Sequence, residues 1–158
     1  MEKYKILFVC LGNICRSPAG EGIMKAKVLD EGLQDKVEVD SAGILGYHAG
    51  ELPDSRMRRH GARRGYNFDS RSRKVATDDF YRFDMLVAMD DGNYDDLRSL
   101  CPNLDSQKKI RKMADFLRKY PYDHVPDPYY SGASGFELVL DLLEDGCQNL
   151  LEEVKISF

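Results

Sequence analysis

The feature that most constrains the fold is a short apolar run that leads directly into a loop and a helix start. Lys5–Val9, KILFV, predicts a buried strand because it is short, apolar and followed by turn-forming residues. Pro18 suits the first turn of a helix, and Ser17 suits its N-cap. The segment Cys10–Ser17, CLGNICRS, is therefore expected to connect the carboxyl end of a strand to a helix N-terminus.

The remaining chain alternates between strand and helix patterns. The further predicted strands are Val37–Ser41 and Phe83–Met89, and the predicted helices are Pro18–Leu29, Asp54–Arg64, Asp91–Cys101 and Phe136–Val154. Lys109–Leu117 fits either a helix or a strand. Such alternation predicts an α/β fold, a parallel sheet with helices on both faces. Ligands of these folds bind outside the carboxyl ends of the strands, which is where Cys10–Ser17 would lie.

Composition narrows the class of protein. A length of 158 residues suits a single domain, residues 1–158. The sequence contains no apolar run long enough for a membrane span and no recognisable signal peptide, so we expect a cytoplasmic protein without a membrane partner. The net charge of −4 argues against nucleic acid as a partner. Reduced thiols are the better expectation than disulfides or zinc for the four cysteines, Cys10, Cys15, Cys101 and Cys147.

The loop has the composition of an oxyanion site. Backbone N–H groups between a strand and a helix N-terminus can point inward and bind an anion. Gly12 permits a left-handed or closely approached backbone, and Asn13 is the residue next best suited to the left-handed region. We expect the backbone of Leu11–Arg16, including Ile14 and Cys15, to contact the three non-bridging oxygens of a phosphoryl group.

Three side chains of the loop can carry chemistry. Arg16 supplies an always-charged fork that can hold two phosphate oxygens. Cys10 lies at the base of the loop, where the same donors would favour the thiolate, an in-line nucleophile. Ser17 can donate to the sulfur when it becomes the leaving group. The alternative is that Cys10 is a buried, inert cysteine.

A thiolate nucleophile also requires an acid for the leaving group. The best candidate is Asp127 in HVPDPYYSG, because Pro126 and Pro128 restrict the backbone on both sides. The alternative is a turn aspartate with a purely structural role.

Four motifs together resemble the low-molecular-weight protein-tyrosine-phosphatase family: FVCLGNICRSP, SAG, the Met-Asp after the third strand, and DPYY. They occur in the family's order over essentially the whole chain. The resemblance implies a cytoplasmic phosphatase without metal or cofactor. It also implies a flavodoxin-like three-layer fold with a four-stranded parallel sheet, whose fourth strand lies within Lys109–Leu117.

The resemblance also implies roles for individual residues. Cys10 corresponds to the nucleophile that forms a phosphocysteine, and Arg16 to the phosphate-binding arginine. Asp127 corresponds to the general acid of the first step and the base of the second. Asn13 and Ser17 correspond to a polar pair that shapes the loop, and SAG supplies a supporting serine at position 41.

Other correspondences leave alternatives open. Cys15 corresponds to a loop cysteine that can form a disulfide with Cys10, or it is a small packed residue. Tyr129 and Tyr130 correspond to a tyrosine pair that lines the cleft, and Tyr47 to an aromatic on the opposite wall. Each tyrosine can equally be half-buried packing.

Two further positions concern the surroundings of the loop. Ser70 stands where many family members have a histidine that supports the loop asparagine, so the support of Asn13 is expected to differ. Asp90 corresponds to an aspartate near the site, or it only caps the next helix.

Three rival functions follow from the same motifs. Arsenate reductases share the loop but need two further cysteines close together. Arginine phosphatases of the family have threonine where this chain has Ile14. A binding module would have lost catalysis. The expected partners are phosphotyrosine proteins, with a tyrosine kinase as one candidate, and phosphate is the product.

Overall fold

A parallel four-stranded sheet forms the centre of the structure, a computed structural model that describes residues 2–158. The strand order is β2-β1-β3-β4, and every neighbouring pair is parallel. The strands are β1 Tyr4–Cys10, β2 Val37–Gly43, β3 Met85–Ala88 and β4 Ile110–Lys112. The α/β fold with a parallel sheet predicted from the sequence is confirmed.

Six α-helices occur within residues 2–158. They are α1 Arg16–Asp30, α2 Ser55–Arg63, α3 Asp79–Arg82, α4 Asp91–Leu100, α5 Leu104–Gln107 and α6 Ala133–Lys155. None of them is both long enough and apolar enough to cross a membrane. The short helices α3 and α5 lie below the length that an apolar pattern can reveal.

The two faces of the sheet carry separate cores. On β1, Ile6 and Phe8 point to the face covered by α1 and α6, and Leu7 and Val9 point to the face covered by α3 and α4. From Ile6 to Cys10 both faces of β1 are buried, which explains why this part of its sequence is a continuous apolar run and does not alternate. The result is the predicted three-layer arrangement.

The predicted Lys109–Leu117 segment contains two elements. Ile110–Lys112 is the short strand β4, and Met113–Phe116 follows as a 3-10 helix. The fourth strand implied by the resemblance is therefore confirmed. A strand of three residues followed at once by a helical turn gives neither a period of two nor a period of 3.6, which is why the pattern was ambiguous.

The prediction that Ser17 is the N-cap of the first helix is wrong. Helix α1 begins at Arg16, and its N-cap residue is Cys15, which makes no side-chain capping bond. Ser17 lies inside the first turn, and its hydroxyl points to the sulfur of Cys10. The serine is therefore used by the loop and is not available to the helix. Pro18 does lie in the first turn, as predicted.

The carboxyl ends of β1 and β2 meet at the loop. Cys10 is the last residue of β1, and its partner in β2 is Gly43. A Cβ atom at Gly43 would lie 3.0 Å from backbone atoms of residues 11–13. A glycine is therefore required at the end of β2 for the loop to pack against it.

Phe68 is clamped between two helices that position the site. A Cβ atom at Gly22 of α1 or at Gly61 of α2 would overlap the Phe68 ring, which is buried. The ring packs against both helices, so it cannot shift away from α1 without colliding with α2, or away from α2 without colliding with α1.

We therefore expect Gly22→Ala to lower the free energy of unfolding by about 1–3 kcal/mol through overpacking. Gly92→Ala in α4 is the control, because its new methyl group would meet only Asp90 Oδ1, at an ordinary 3.4 Å. The control should leave stability unchanged or raise it by up to about 1 kcal/mol. Urea denaturation measures the free energy of unfolding of both variants. Equal changes in the two variants would contradict the close packing of Phe68 against Gly22.

Candidate active site

The loop between β1 and α1 presents a ring of free backbone donors. Within residues 2–158, none of the N–H groups of residues 11–16 donates to a protein acceptor. The loop leads into the N-terminus of α1, whose dipole adds partial positive charge. Free N–H groups facing one point, together with a helix N-terminus, form a binding site for a tetrahedral oxyanion.

The sulfur of Cys10 lies at the base of this ring. The backbone N–H of Ser17 donates to it at 3.4 Å, and the Ser17 hydroxyl lies 3.0 Å away. Cys10 is buried, and it lines the cleft that the loop forms. The sulfur therefore accepts from one backbone N–H and is in hydrogen-bond contact with the Ser17 hydroxyl.

Asn13 holds the loop in shape. It is the one non-glycine residue with a positive φ, 57°, within the described part of the chain. Its Oδ1 accepts from the backbone N–H of Arg73 at 3.1 Å, which fixes the orientation of the amide. Its Nδ2 then donates to Ser17 Oγ at 2.7 Å and to Ser41 Oγ at 3.0 Å.

Ser41 continues this network into the interior. Its hydroxyl donates to Glu21 Oε1 at 2.6 Å, and the other oxygen of Glu21 pairs with Lys25. The Glu21 carboxylate is buried in α1 and can only accept hydrogen bonds when ionised. It therefore fixes the direction in which Ser41 donates.

Arg16 is buried and held on one side only. Its Nη1 donates to Asp90 Oδ2 at 2.7 Å and to the carbonyl of Val125 at 3.0 Å. Burial opposes the charge, but the sulfur of Cys10 and the hydrogen-bonded Asp90 raise the pKa of Arg16 above its usual value. Its Nε and Nη2 groups donate to no residue among 2–158, so they can bind an anion. Asp90 also caps α4 by accepting from Asn93 N at 2.7 Å. It therefore both contacts the arginine of the site and caps the following helix.

Asp127 lies on the opposite side of the same cleft. Its Oδ2 is 3.9 Å from Arg16 Nη2, and its Oδ1 accepts from the backbone N–H of Tyr129 at 3.0 Å. The side chain is about half exposed, at 47%. The structure therefore brings the carboxylate to the mouth of the cleft, in contact with solvent.

Aromatic side chains form the outer walls. Tyr47, Tyr129 and Tyr130 all line the cleft, and Tyr47 and Tyr130 are almost fully exposed, at 84% and 96%. Tyr129 and Tyr130 meet edge to face, with ring centroids 5.0 Å apart. Leu11, Ile14 and Cys15 line the floor with Cys10 and Arg16. The cleft thus brings together the predicted site residues except Asn13 and Ser17, which are buried and do not line it.

Comparison with known proteins agrees with this geometry. Residues 5–157 match the family described as low molecular weight phosphotyrosine protein phosphatase. The chain belongs to this family. A protein tyrosine phosphatase of Entamoeba histolytica, crystallised with Hepes in its active site, is 48% identical, with a TM-score of 0.95 and coverage of 98% of this chain and 99% of that one.

Two other family members extend the comparison. A low molecular weight protein-tyrosine-phosphatase of Streptomyces coelicolor is 41% identical over 96% of this chain and 94% of its own. The crystal structure of a Drosophila arginine phosphatase is 32% identical, with a TM-score of 0.87 and coverage of 96% and 98%. The resemblance and the protein-tyrosine-phosphatase class predicted from the sequence are confirmed.

The support of the loop asparagine differs from the family pattern, as the sequence indicated. Ser70 makes no hydrogen bond to Asn13 or to any other group among residues 2–158. Arg73 supports Asn13 through its backbone, and Ser72 Oγ donates to the carbonyl of Gly12 at 3.1 Å. The segment that carries Ser70 thus contacts the loop two and three residues further along.

Gly12 serves the loop in one of the two ways expected. Its φ is not positive, so the left-handed residue is Asn13 alone. A Cβ atom at Gly12 would lie 3.3 Å from Cδ2 of His48. Gly12 is therefore needed for the close approach of the His48 ring, a cleft residue that the sequence analysis missed because no local motif marks it.

Cys15 is a thiol that packs against the loop. Burial, followed by the charge of Asp54, raises its pKa far above the usual value. Cys10 and Cys15 are both free cysteines, so the disulfide between them stays a prediction. Cys101 and Cys147 do not line the cleft, and burial raises the pKa of Cys147 to about 12. The cleft therefore lacks the two further cysteines, beyond the loop, that an arsenate reductase needs.

Asn13→Ala tests the role of the asparagine. Alanine is strained at positive φ by about 1 kcal/mol and leaves the N–H of Arg73 unpaired. We expect the free energy of unfolding to fall by about 2–4 kcal/mol and the inhibition constant of inorganic phosphate to rise about tenfold or more.

Asn13→Gly is the matched control, because glycine tolerates the backbone but lacks the amide. It should recover about 1 kcal/mol of stability and leave phosphate binding weak. Phosphate affinity equal to that of the wild type in Asn13→Ala would contradict this account.

Proposed function

We propose that this phosphatase hydrolyses phosphotyrosine in proteins through a phosphocysteine at Cys10. One observation carries the proposal: Cys10 and the buried Arg16 line one cleft, at the two ends of a loop whose six backbone N–H groups, at residues 11–16, have no acceptor among residues 2–158. A phosphate monoester bound there places its phosphorus above the sulfur, and its three non-bridging oxygens meet the N–H groups and Arg16. Such preorganised donors stabilise the charge that develops in phosphoryl transfer.

In the first step the Cys10 thiolate attacks phosphorus in line with the ester oxygen. The S–P bond forms and the P–O bond to the aryl group breaks. Asp127, at the mouth of the cleft, donates its proton to the departing phenol oxygen. The products of the step are phosphocysteine, the dephosphorylated tyrosine side chain of the substrate protein and the Asp127 carboxylate.

In the second step the Asp127 carboxylate takes a proton from water. The water oxygen attacks phosphorus, the S–P bond breaks and inorganic phosphate leaves. The sulfur departs as a thiolate, and the Ser17 hydroxyl at 3.0 Å donates a hydrogen bond to it. The enzyme returns to its starting state, with no cofactor in the proposed cycle.

The walls of the cleft support an aryl ester as substrate. Tyr47 and the Tyr129–Tyr130 pair offer flat faces and edges on which a phenyl ring can pack. We propose phosphotyrosine proteins as partners, with a tyrosine kinase as one candidate, in the cytoplasm. We also propose that residues 1–158 act as one catalytic domain.

Phosphoarginine is the second candidate substrate. It is favoured by the similarity to the Drosophila arginine phosphatase. Against it, Ile14 lines the cleft with an apolar side chain and offers no hydroxyl to the nitrogen of a phosphoarginine. Parallel assays on phosphotyrosine and phosphoarginine peptides distinguish the two, and we expect the phosphotyrosine peptide to be hydrolysed faster.

Cys10→Ser removes the nucleophile and retains the N–H ring. We expect no measurable turnover of a phosphotyrosine peptide, with inorganic phosphate still bound. Phosphate release in the presence of a metal chelator measures turnover, and calorimetry measures binding. Cys147→Ser is the control, since this buried cysteine lies outside the cleft. Turnover by Cys10→Ser would show that another group is the nucleophile.

Asp127→Ala removes the proposed acid. An ester with a very acidic leaving group needs no proton, whereas the phenol of tyrosine does. We expect kcat/KM for a phosphotyrosine peptide, which reports the first step alone, to fall about 10²- to 10⁴-fold, and kcat/KM for a dinitrophenyl phosphate to fall much less. Equal loss on both substrates would remove Asp127 from the role of general acid.

A further inference from the structure

A second, shallower groove adjoins the catalytic cleft. The two share Ile14, His48 and Tyr129 as lining residues. The second groove, called the side groove below, is further lined by Arg58 and Arg71. A peptide whose phosphotyrosine occupies the cleft can therefore continue directly into a surface with two arginines.

Arg58 is held in place with most of its donors free. Its Nε donates to the carbonyl of Pro53 at 3.0 Å, and its side chain makes no other hydrogen bond among residues 2–158. Both terminal nitrogens are therefore available. A guanidinium that is already oriented loses less entropy when it binds a carboxylate.

Arg71 is arranged in the same way from the opposite side. Its Nη1 donates to the carbonyl of Gly50 at 3.1 Å, which leaves Nε and Nη2 free. The side chain of Arg71 has no carboxylate within 4.0 Å in the described part of the chain, and neither has Arg58. The free N–H groups of both guanidinium groups are therefore available to a carboxylate from another molecule.

Both arginines are anchored to the phosphate-binding loop through the backbone. Asp54 N donates to the carbonyl of Ile14 at 2.7 Å, and the N–H of Arg58 donates to Asp54 at 2.9 Å. Ser72, which follows Arg71, donates from its hydroxyl to the carbonyl of Gly12 at 3.1 Å. The distance from the phosphate site to the side groove is therefore fixed by the fold.

Two carboxylate residues also line the side groove, Glu51 and Asp54. Asp54 is paired with Arg56, whose Nη2 lies 2.9 Å from Asp54 Oδ2. Glu51 Oε2 lies 3.0 Å from His48 Nδ1, so the acidic group is engaged by a histidine of the same groove. It reduces the positive charge there but does not contact either arginine. The two carboxylates of the groove are thus already partnered by other residues, whereas the guanidinium groups of Arg58 and Arg71 are not partnered by a carboxylate among residues 2–158.

We propose that the side groove binds a carboxylate of the phosphoprotein substrate, so that phosphotyrosine with a nearby Asp or Glu is preferred. This inference rests on the proposed function. Guanidinium groups bind carboxylates through paired hydrogen bonds, which ammonium groups cannot match. The residue concerned lies within a few positions of the phosphotyrosine, since each extended residue spans about 3.3–3.6 Å and the two grooves share a wall.

The test compares phosphotyrosine peptides that differ only in charge. Peptides carry Glu at the three positions before the phosphotyrosine, at the three positions after it, or Gln at all six. The readout is the ratio of kcat/KM for an acidic peptide to that for the neutral peptide. Two exposed charge pairs are expected to raise this ratio about three- to tenfold for at least one acidic peptide.

The double variant Arg58→Gln with Arg71→Gln should bring the ratio close to one. The matched control is Arg59→Gln with Arg63→Gln, which removes the same charge from exposed positions of α2 outside both grooves. The control should retain most of the wild-type ratio. The preference should also weaken when ionic strength is raised from about 0.05 to 0.5 M.

The outcomes separate the two proposals. No turnover of any phosphotyrosine peptide by the wild type would overturn the proposed function itself. Turnover by the wild type with a ratio of acidic to neutral kcat/KM near one would overturn only the proposal that the side groove binds a carboxylate. An equal loss of preference in both double variants would show that general attraction, and not Arg58 and Arg71, recognises the acidic residues. A preference lost only in the Arg58/Arg71 variant supports the proposal.

Discussion

The catalytic loop depends on a chain of hydrogen bonds whose direction is fixed from the interior. Glu21 accepts from Ser41, so Ser41 Oγ can accept from the amide of Asn13. The same amide donates to Ser17 Oγ, whose hydroxyl lies 3.0 Å from the sulfur of Cys10 and 3.4 Å from the carbonyl of Ala42. A buried carboxylate in α1 is thus linked to the sulfur of the nucleophile through the side chains of Ser41, Asn13 and Ser17.

The sheet topology brings the members of this chain together. Cys10 ends β1, and Ser41 lies near the end of β2, its parallel neighbour. On the other side of β1, β3 leads to Asp90, which holds Arg16. The acid loop is attached to the same edge, because Val125 N donates to the carbonyl of Met89 at 2.8 Å. Nucleophile, arginine and acid therefore meet where three parallel strands end.

Sequence reasoning succeeded where the evidence is local. The loop of Cys10–Ser17 lies between an apolar run and a helix start, so its neighbours alone mark it. Asp127 between two prolines is predicted as the acid because the thiolate needs one, and the structure brings it to the same cleft. Sequence reasoning failed where a side chain is recruited from a distance. Ser17 resembles a helix cap until its partner Cys10 is known, and Glu21 and His48 carry no motif. Their roles arise from contacts that only the packed fold creates.

The charges explain why the backbone must do most of the binding. Arg16 carries one positive charge, but Asp90 is hydrogen-bonded to it, and the thiolate that the proposed mechanism requires at Cys10 adds a second negative charge. The side chains beside the phosphate therefore supply no net positive charge for a dianion. The N–H groups of residues 11–16 must supply the attraction, and their fixed directions select a tetrahedral anion by shape. In the proposed scheme, Arg58 and Arg71 of the side groove attract the acidic residues of the substrate. They lie outside the phosphate-binding loop, which selects the tetrahedral anion by its shape.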